Sequence, residues 1–283
     1  MVSRVSNLLE ANLNHMDSQP EDPVWRGMIE TGLLNGRAVQ FLASTTSTNQ
    51  VALELGRQGV PNGTVILAET QTQGRGRLGK EWVSPPGSGL YFSQILRPQL
   101  DLPDLPKITL AAGLAVCQAV EETTELRPLI KWPNDLLLAG RKFCGILTES
   151  ALLEAGAVPL AVLGIGLNVS TPRKRFPEDL RAKATSLLAQ SGQYCQRGPL
   201  LAAILTRLEV AVRRLEDGDF EGILEEWRRR DALVGKHLTW VTPARKVVAG
   251  VALGPDAQGV LHLRDREGTI HEVLSGDLQL AER

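Results

Sequence analysis

Apolar residues recur at helical spacing at Ile108, Ala112, Ala115 and Ala119, and again at positions 201, 204, 205, 208, 212 and 215. Residues 106–120 and 201–215 therefore predict helices that each bury one face, and residues 220–230 predict a third. Shorter apolar runs read as strands at 65–69, 90–96, 129–132, 136–138, 144–149 and 160–165, with Gly140-Arg141-Lys142 as a hairpin turn. The polar run Ser44-Thr-Thr-Ser-Thr-Asn49 offers an N-cap to a helix carrying Val51, Ala52 and Leu55. Beyond about residue 232 the runs shorten and alternate, at 237–241, 246–253, 260–264, 269–274 and 278–280, with glycine-containing turns between them. Several short strands at that spacing predict a small β-barrel. Residues 1–40 are the least patterned; 5–13 suit a short helix ended by Pro20-Glu-Asp-Pro23. The pattern thus divides the chain at 1–40, 41–232 and 233–283.

Composition narrows the function without naming it. The 283 residues, 43% hydrophobic and 22% charged, are those of a globular protein with room for one large and one small domain. A net charge of −1 leaves any positive field local. Residues 1–40 carry three arginines against five acids, too few cations for a winged helix-turn-helix. No signal peptide is evident at the N-terminus, and the apolar stretch 157–169 is interrupted by Pro159, Gly164 and Gly166 and is too short to span a bilayer. Cys117, Cys144 and Cys195 are isolated, which suits a reducing cytoplasm and supports neither a disulfide frame nor a zinc site. Four scattered histidines argue against a catalytic triad or a histidine metal site, and no metal ligand is assigned.

The densest chemistry lies in Gln71-Thr-Gln-Gly-Arg-Gly-Arg-Leu-Gly-Lys-Glu-Trp82. Glycines let backbone approach a ligand, and guanidinium forks suit carboxylate and phosphate. The segment matches both G-x-G-x-x-G and G-x-x-x-x-G-K, but each of those needs a following helix to bind phosphates. Here Trp82-Val-Ser-Pro85-Pro86 follows, and Glu81 stands where the second motif needs a hydroxyl. The stretch reads instead as a cationic lid over an anionic small molecule. A second cluster, Lys131-Trp-Pro-Asn134-Asp135, precedes Arg141-Lys142 and Gly145-Ile-Leu-Thr-Glu149. Gly164-Ile-Gly166-Leu-Asn168 is either a strand with glycines for close packing or a place where a ligand meets backbone.

In this order, Ser47-Thr-Asn49, the Gln71–Trp82 segment, Lys131–Asp135, Arg141-Lys142 with Gly145-Ile-Leu, and Gly164–Asn168 resemble the biotin protein ligases. The resemblance covers roughly residues 40–283. It implies an α+β fold: a mixed sheet flanked by helices, a class II synthetase-like catalytic core, followed by an SH3-like barrel. It implies activation of biotin by ATP with Mg²⁺, then transfer to a lysine of a biotin carboxyl carrier protein. By position, Ser47, Thr48, Asn49 and Gln71 would bind the biotin rings. Arg75, Gly76 and Arg77 would close over carboxylate and phosphate, and Lys142 would bridge them. Trp82, Lys131, Asn134 and Asn168 would frame the nucleotide, and Asp135 would receive the incoming lysine. Related readings are a lipoate-type acyl-adenylate ligase and a bifunctional ligase and repressor; a homodimer is among the assemblies the family admits. The charge of residues 1–40 predicts no sequence-specific DNA complex, because counterion release would be nearly absent. An electrophoretic shift assay at physiological salt, with and without biotin and ATP, checks this; a biotin-dependent shifted band would refute it.

Overall fold

A computed structural model describes residues 22–151, 158–242, 246–273 and 277–280. Helix α1 (Pro23–Thr31) leads into β1 (Leu33–Leu34) and β2 (Arg37–Leu42), then α2 (Thr48–Arg57), β3 (Val65–Ala68) and β4 (Gly89–Leu96). Helix α3 (Lys107–Thr123) precedes β5 (Leu129–Lys131), β6 (Asp135–Leu138), β7 (Arg141–Ala151) and β8 (Leu160–Asn168). Three helices follow, α4 (Leu187–Ser191), α5 (Arg197–Glu216) and α6 (Phe220–Arg228). The C-terminal strands are β9 (His237–Val241), β10 (Val247–Pro255), β11 (Leu261–Arg264), β12 (Ile270–Val273) and β13 (Asp277–Leu280).

The main sheet runs β1-β2-β3-β4-β8-β7-β6-β5, antiparallel except for the parallel β2–β3 pair. Its central strands are covered along one face and over part of the other, and their side chains divide by alternation. Val65, Leu67, Leu90, Phe92, Leu163 and Leu167 join the large core under α1, α3, α5 and α6. Ile66, Ile95, Leu160 and Val162 point the other way and meet Ala52 of α2. Because α2 is short, it covers only part of that second face. The remainder is open.

The second sheet, β12-β11-β10-β9-β13, is wholly antiparallel, as the alternating C-terminal runs require. It is joined to the main body by packing. Leu238, Trp240, Leu261 and Leu263 belong to the same apolar cluster as Trp227 and Leu233. The turn at Gly259 lies against Leu110 and Phe220, and Trp132 Nε1 donates to Gly259 O at 2.9 Å. No helix among the described residues is long and apolar enough to cross a membrane.

Three differences from the sequence expectations have physical causes. The β6–β7 turn is Ala139-Gly140, with φ of 47° and 74°, and not Gly140-Arg141-Lys142. Two positive φ values are what a two-residue hairpin turn of matching twist demands, so Arg141 and Lys142 fall inside β7. The division at residue 41 does not coincide with a break in packing. Trp25, Met28, Leu34 and Val39 sit in the main core, and helix α1 begins where the Pro23 signal reads as a breaker, since proline is tolerated at the first helical position. The short α4 also escapes the sequence pattern. The helix expected at 5–13 lies outside the described residues.

If residues 22–40 are part of the core, truncating a side chain there should cost what a core truncation costs. Met28 is 1% exposed, and Met28→Ala is expected to lower stability by about 2–5 kcal/mol. Urea denaturation checks this; a change within about 0.5 kcal/mol would mark the segment as a surface appendage.

Candidate active site

The open part of the second sheet face is paved with glycine. Gly145 pairs with Gly166 and Leu147 with Gly164 across β7–β8, and these residues share a face with Val162, under α2. Missing side chains there make depth. A Cβ at Gly164 would stand 2.0 Å from Asn49 Oδ1, and one at Gly166 would stand 2.4 Å from the Trp82 ring. Above this floor lies a cleft of about 920 Å³. All thirteen residues picked out by the sequence line it: Ser47, Thr48, Asn49, Gln71, Arg75, Gly76, Arg77, Trp82, Lys131, Asn134, Asp135, Lys142 and Asn168.

The end of the cleft beside α2 is polar and rigid. Thr48, the first residue of α2, donates from its backbone N to Gln71 Oε1 at 2.8 Å and from its hydroxyl to the same oxygen at 3.1 Å. This fixes the Gln71 carbonyl and leaves the amide nitrogen beside Gly74. Asn49 is more committed than the sequence suggests. Its Nδ2 donates to Glu149 Oε2 at 2.8 Å and Leu147 O at 3.2 Å, and Ser93 Oγ donates to its Oδ1 at 2.6 Å. Asn49 therefore braces the wall from behind. Ser47 holds the N-cap position of α2 but makes no capping bond with its side chain.

The middle of the cleft is cationic. Seven lysines and arginines line the cavity against three carboxylates, in a chain whose net charge is −1. A β-bulge brings Lys142 there. Leu136 pairs with Cys144 but Leu137 with Lys142, so Phe143 is the extra residue. The slip puts Lys142 on the same face as Gly145, although Cys144 and Phe143 point into the core. Lys142 Nζ lies 2.6 Å from Asp135 Oδ1 and 5.4 Å from the Trp82 ring centroid. Arg77 Nη1 donates to Asn134 Oδ1 at 3.2 Å. Burial pulls the Arg77 guanidinium below its ordinary pKa range, with Asp135 partly restoring it. A cation stripped of water in this way favours an anion beside it.

Two buried polar atoms in this cleft have no hydrogen-bond partner among the described residues, the Trp82 Nε1 donor and the Asn168 Oδ1 acceptor. Unmatched buried groups are costly and call for a ligand or water. Asn168 is otherwise held by its Nδ2, which donates to Thr185 O at 3.0 Å. Cysteine chemistry has no place here. Burial pushes the Cys117 and Cys144 thiols up and Cys195 to about 11, so all three stay protonated at neutral pH.

The arginine loop differs in detail from a simple glycine hinge. Gly74 is required by contact, since a Cβ there would stand 2.3 Å from Trp82 O. Of Gly74, Gly76 and Gly79, only Gly79 takes a positive φ, 73°, next to Leu78 at 57°. Lys131 Nζ donates to Leu278 O at 3.2 Å, linking the cleft rim to the C-terminal sheet. Sequence reasoning missed an entire wall. Phe176, Pro177, Asp179, Leu180 and Lys183 line the cleft from the stretch between β8 and α4, and Lys142 N donates to Lys183 O at 2.8 Å. The available signal was the length of that stretch without strand or helix periodicity, since long loops in compact domains are mostly functional.

A polar pocket joined to a cationic, glycine-floored centre suits a small molecule with a neutral polar end and an anionic end. A model of the biotin/lipoate A/B protein ligase family matches residues 41–168. The bifunctional ligase/repressor BirA of Bacillus subtilis (strain 168) is 37% identical over 83% of this chain and 71% of its own length. The biotin–[acetyl-CoA-carboxylase] ligase of Mycobacterium tuberculosis is 33% identical over 86% of this chain and 88% of its own. A solved structure, biotin protein ligase from Aquifex aeolicus in complex with biotin and ATP, matches with a TM-score of 0.74 at 30% identity, covering 87% of this chain and 99% of that one. The chain belongs to the biotin/lipoate A/B protein ligase family. Its likeness is to the biotin protein ligases within that family.

The glycine floor yields a direct check. Gly166→Ala should lift the Trp82 indole, because the new methyl would stand 2.4 Å from the ring. With the fold retained by circular dichroism, tryptophan emission should shift, and the shift should vanish in a Trp82→Phe background. An unshifted spectrum would mean that the indole does not rest on Gly166.

Proposed function

We propose that this chain is a biotin protein ligase, activating biotin with ATP and passing it to a lysine of a biotin carboxyl carrier protein. The observation that carries the reading is a polar end and a cationic centre on one glycine floor, in a cleft lined, among the described residues, by neither His nor Cys. Such a site suits a reaction whose first nucleophile is the substrate's own carboxylate. The protein then contributes positioning and charge stabilisation.

Ser47, Thr48 and Gln71 hold the biotin ring system by hydrogen bonds, with Asn49 bracing them. Arg75, Gly76 and Arg77 close over the carboxylate and α-phosphate, and Lys142 bridges the two anions. A carboxylate oxygen attacks the α-phosphorus, the bond to the bridging oxygen breaks, and pyrophosphate leaves. Mg²⁺ bound with the nucleotide would add to the positive charge that Arg77 and Lys142 direct at the phosphates. Trp82 and Asn168 frame the resulting biotinyl-5′-AMP, and Lys131 and Asn134 border the nucleotide side. The carrier lysine next attacks the carbonyl carbon and AMP departs. Asp135 takes up or orients the amine proton, because a protonated amine is not a nucleophile. Lys142 pairs with Asp135 at 2.6 Å, so engagement of Lys142 by substrate anions frees that carboxylate for the second step. The cytoplasm, which supplies ATP and keeps thiols reduced, suits three free buried cysteines.

Pyrophosphate release from ATP tests the substrate. Biotin should drive it far better than lipoate, since a pocket built to hydrogen-bond a ureido group rejects a ring that leaves those groups unpaired. Equal rates with the two acids would remove the biotin assignment. In the same assay Lys142→Ala should slow adenylation by roughly 10²-fold or more, the loss typical of a preorganised electrostatic donor. Wild-type rates in a folded Lys142→Ala protein would overturn the bridging role.

A further inference from the structure

Arg197 is the first residue of α5 and is 6% exposed. A cation there faces the positive end of the helix dipole, so the position itself is unfavourable. Directed contacts hold it. Arg197 Nη1 donates to Glu69 Oε1 at 2.8 Å and to Gly89 O at 3.4 Å, and its guanidinium carbon lies 4.0 Å from the Trp25 ring centroid. The same Glu69 oxygen accepts the Gly87 N–H. Asp22 completes the frame by accepting from Trp25 N at 2.9 Å and Gly198 N at 2.8 Å, which ties α1 to the start of α5.

These partners sit at the root of the arginine loop. Glu69 follows β3 and immediately precedes Thr70-Gln71, whereas Gly87 and Gly89 mark where the chain re-enters β4. Beyond the root the two stems are stitched together. Thr70 Oγ1 donates to Ser84 O at 2.8 Å, Gln71 N to Ser84 Oγ at 2.9 Å, and Ser84 Oγ to Gln71 O at 3.1 Å. The Tyr91 phenol crosses Gly89 and donates to Pro85 O at 3.1 Å. Burial raises its pKa and keeps it a donor.

Stability is a poor account of such a pair, since desolvation offsets most of the attraction between buried charges, and an apolar pair of similar shape does as well. Directional bonds do something an apolar pair cannot, which is to lock two chain segments in register. We infer that Arg197, acting through Glu69, is a positioning residue for the ligase reaction. It sets the root of the 70–88 loop so that Gln71 meets Thr48 and Arg77 reaches Asn134. The inference rests on the ligase reading above.

The test removes both charges together, Arg197→Met with Glu69→Met, so that neither is left buried alone. Three quantities are read: the thermal midpoint, hydrogen exchange of residues 70–88 without ligand, and KM and kcat for biotin in pyrophosphate release. The double variant should stay folded, exchange faster within the loop, and show a KM for biotin raised at least tenfold, within the range up to ~10²-fold that a misplacement of about 1 Å costs. The fall in kcat should be smaller. Glu69→Gln, which keeps an acceptor oxygen, should restore most of KM. Wild-type loop exchange and KM in the double variant would overturn the inference. Should that variant fail to fold, Arg197→Lys keeps the charge but loses the fork, and the same two readouts decide. A wild-type protein without biotin-dependent pyrophosphate release would defeat the ligase reading, and loop exchange would still judge the clamp.

Discussion

Strand β7 carries one residue more than β6 can pair, and the extra residue is Phe143. In a regular strand Lys142 would share a face with Cys144, whose side chain is sealed in the core. A cation there would be stripped of water with no anion to meet it, which is prohibitive. The bulge reverses the alternation on its N-terminal side, turning Phe143 inward beside Cys144 and Lys142 outward. It leaves Cys144 and Ile146 packed inward, Gly145 on the floor, and the lysine above that floor. The rest of the cleft is arranged around that position: Asp135 from the neighbouring strand, Trp82 from the loop above, and Lys183 from the segment whose backbone binds Lys142 N.

Much of the architecture was readable in the chain because it rests on period. Helices α3, α5 and α6 and the strands from β3 onward follow apolar spacing that burial imposes, whereas β1 and most of β2 lie in the stretch that reads as least patterned. The residues that line the cleft stand out in the chain because their types are unusual together: glycine, arginine and aromatic in one loop, lysine, asparagine and aspartate in another. What escaped detection depends on register or on distant contacts. No local pattern marks Phe143 as a bulge, since adjacent buried apolar residues such as Phe143 and Cys144 also occur in strands covered on both faces. The partners that hold Asn49, Glu149 at 100 positions away and Ser93 at 44, could not be foreseen from the residues around it. Helix α1 was hidden because a proline that begins a helix and one that breaks it look the same in isolation.

The glycines also divide by cause. Gly140 and Gly79 serve backbone geometry, with positive φ. Gly145, Gly164 and Gly166 serve volume, because a side chain at any of them would meet Lys142, Asn49 or Trp82. Gly74 serves the close approach of two loop segments. A glycine-rich sequence is therefore a record of several different constraints. Only the first kind can be traded for Asn or Asp with modest strain.

The Lys142–Asp135 pair gives the resting cleft an internal rival to any ligand. An anion that engages Lys142 competes for its ammonium donors with a carboxylate already 2.6 Å away. Binding at this centre is thus an exchange of counter-ions, and its free energy is a difference between two similar attractions. A simple inorganic anion gains little from such an exchange. An anion anchored elsewhere in the cleft by its ring gains the effective concentration that anchoring confers, so recognition of the neutral end of the molecule decides which charged end is admitted.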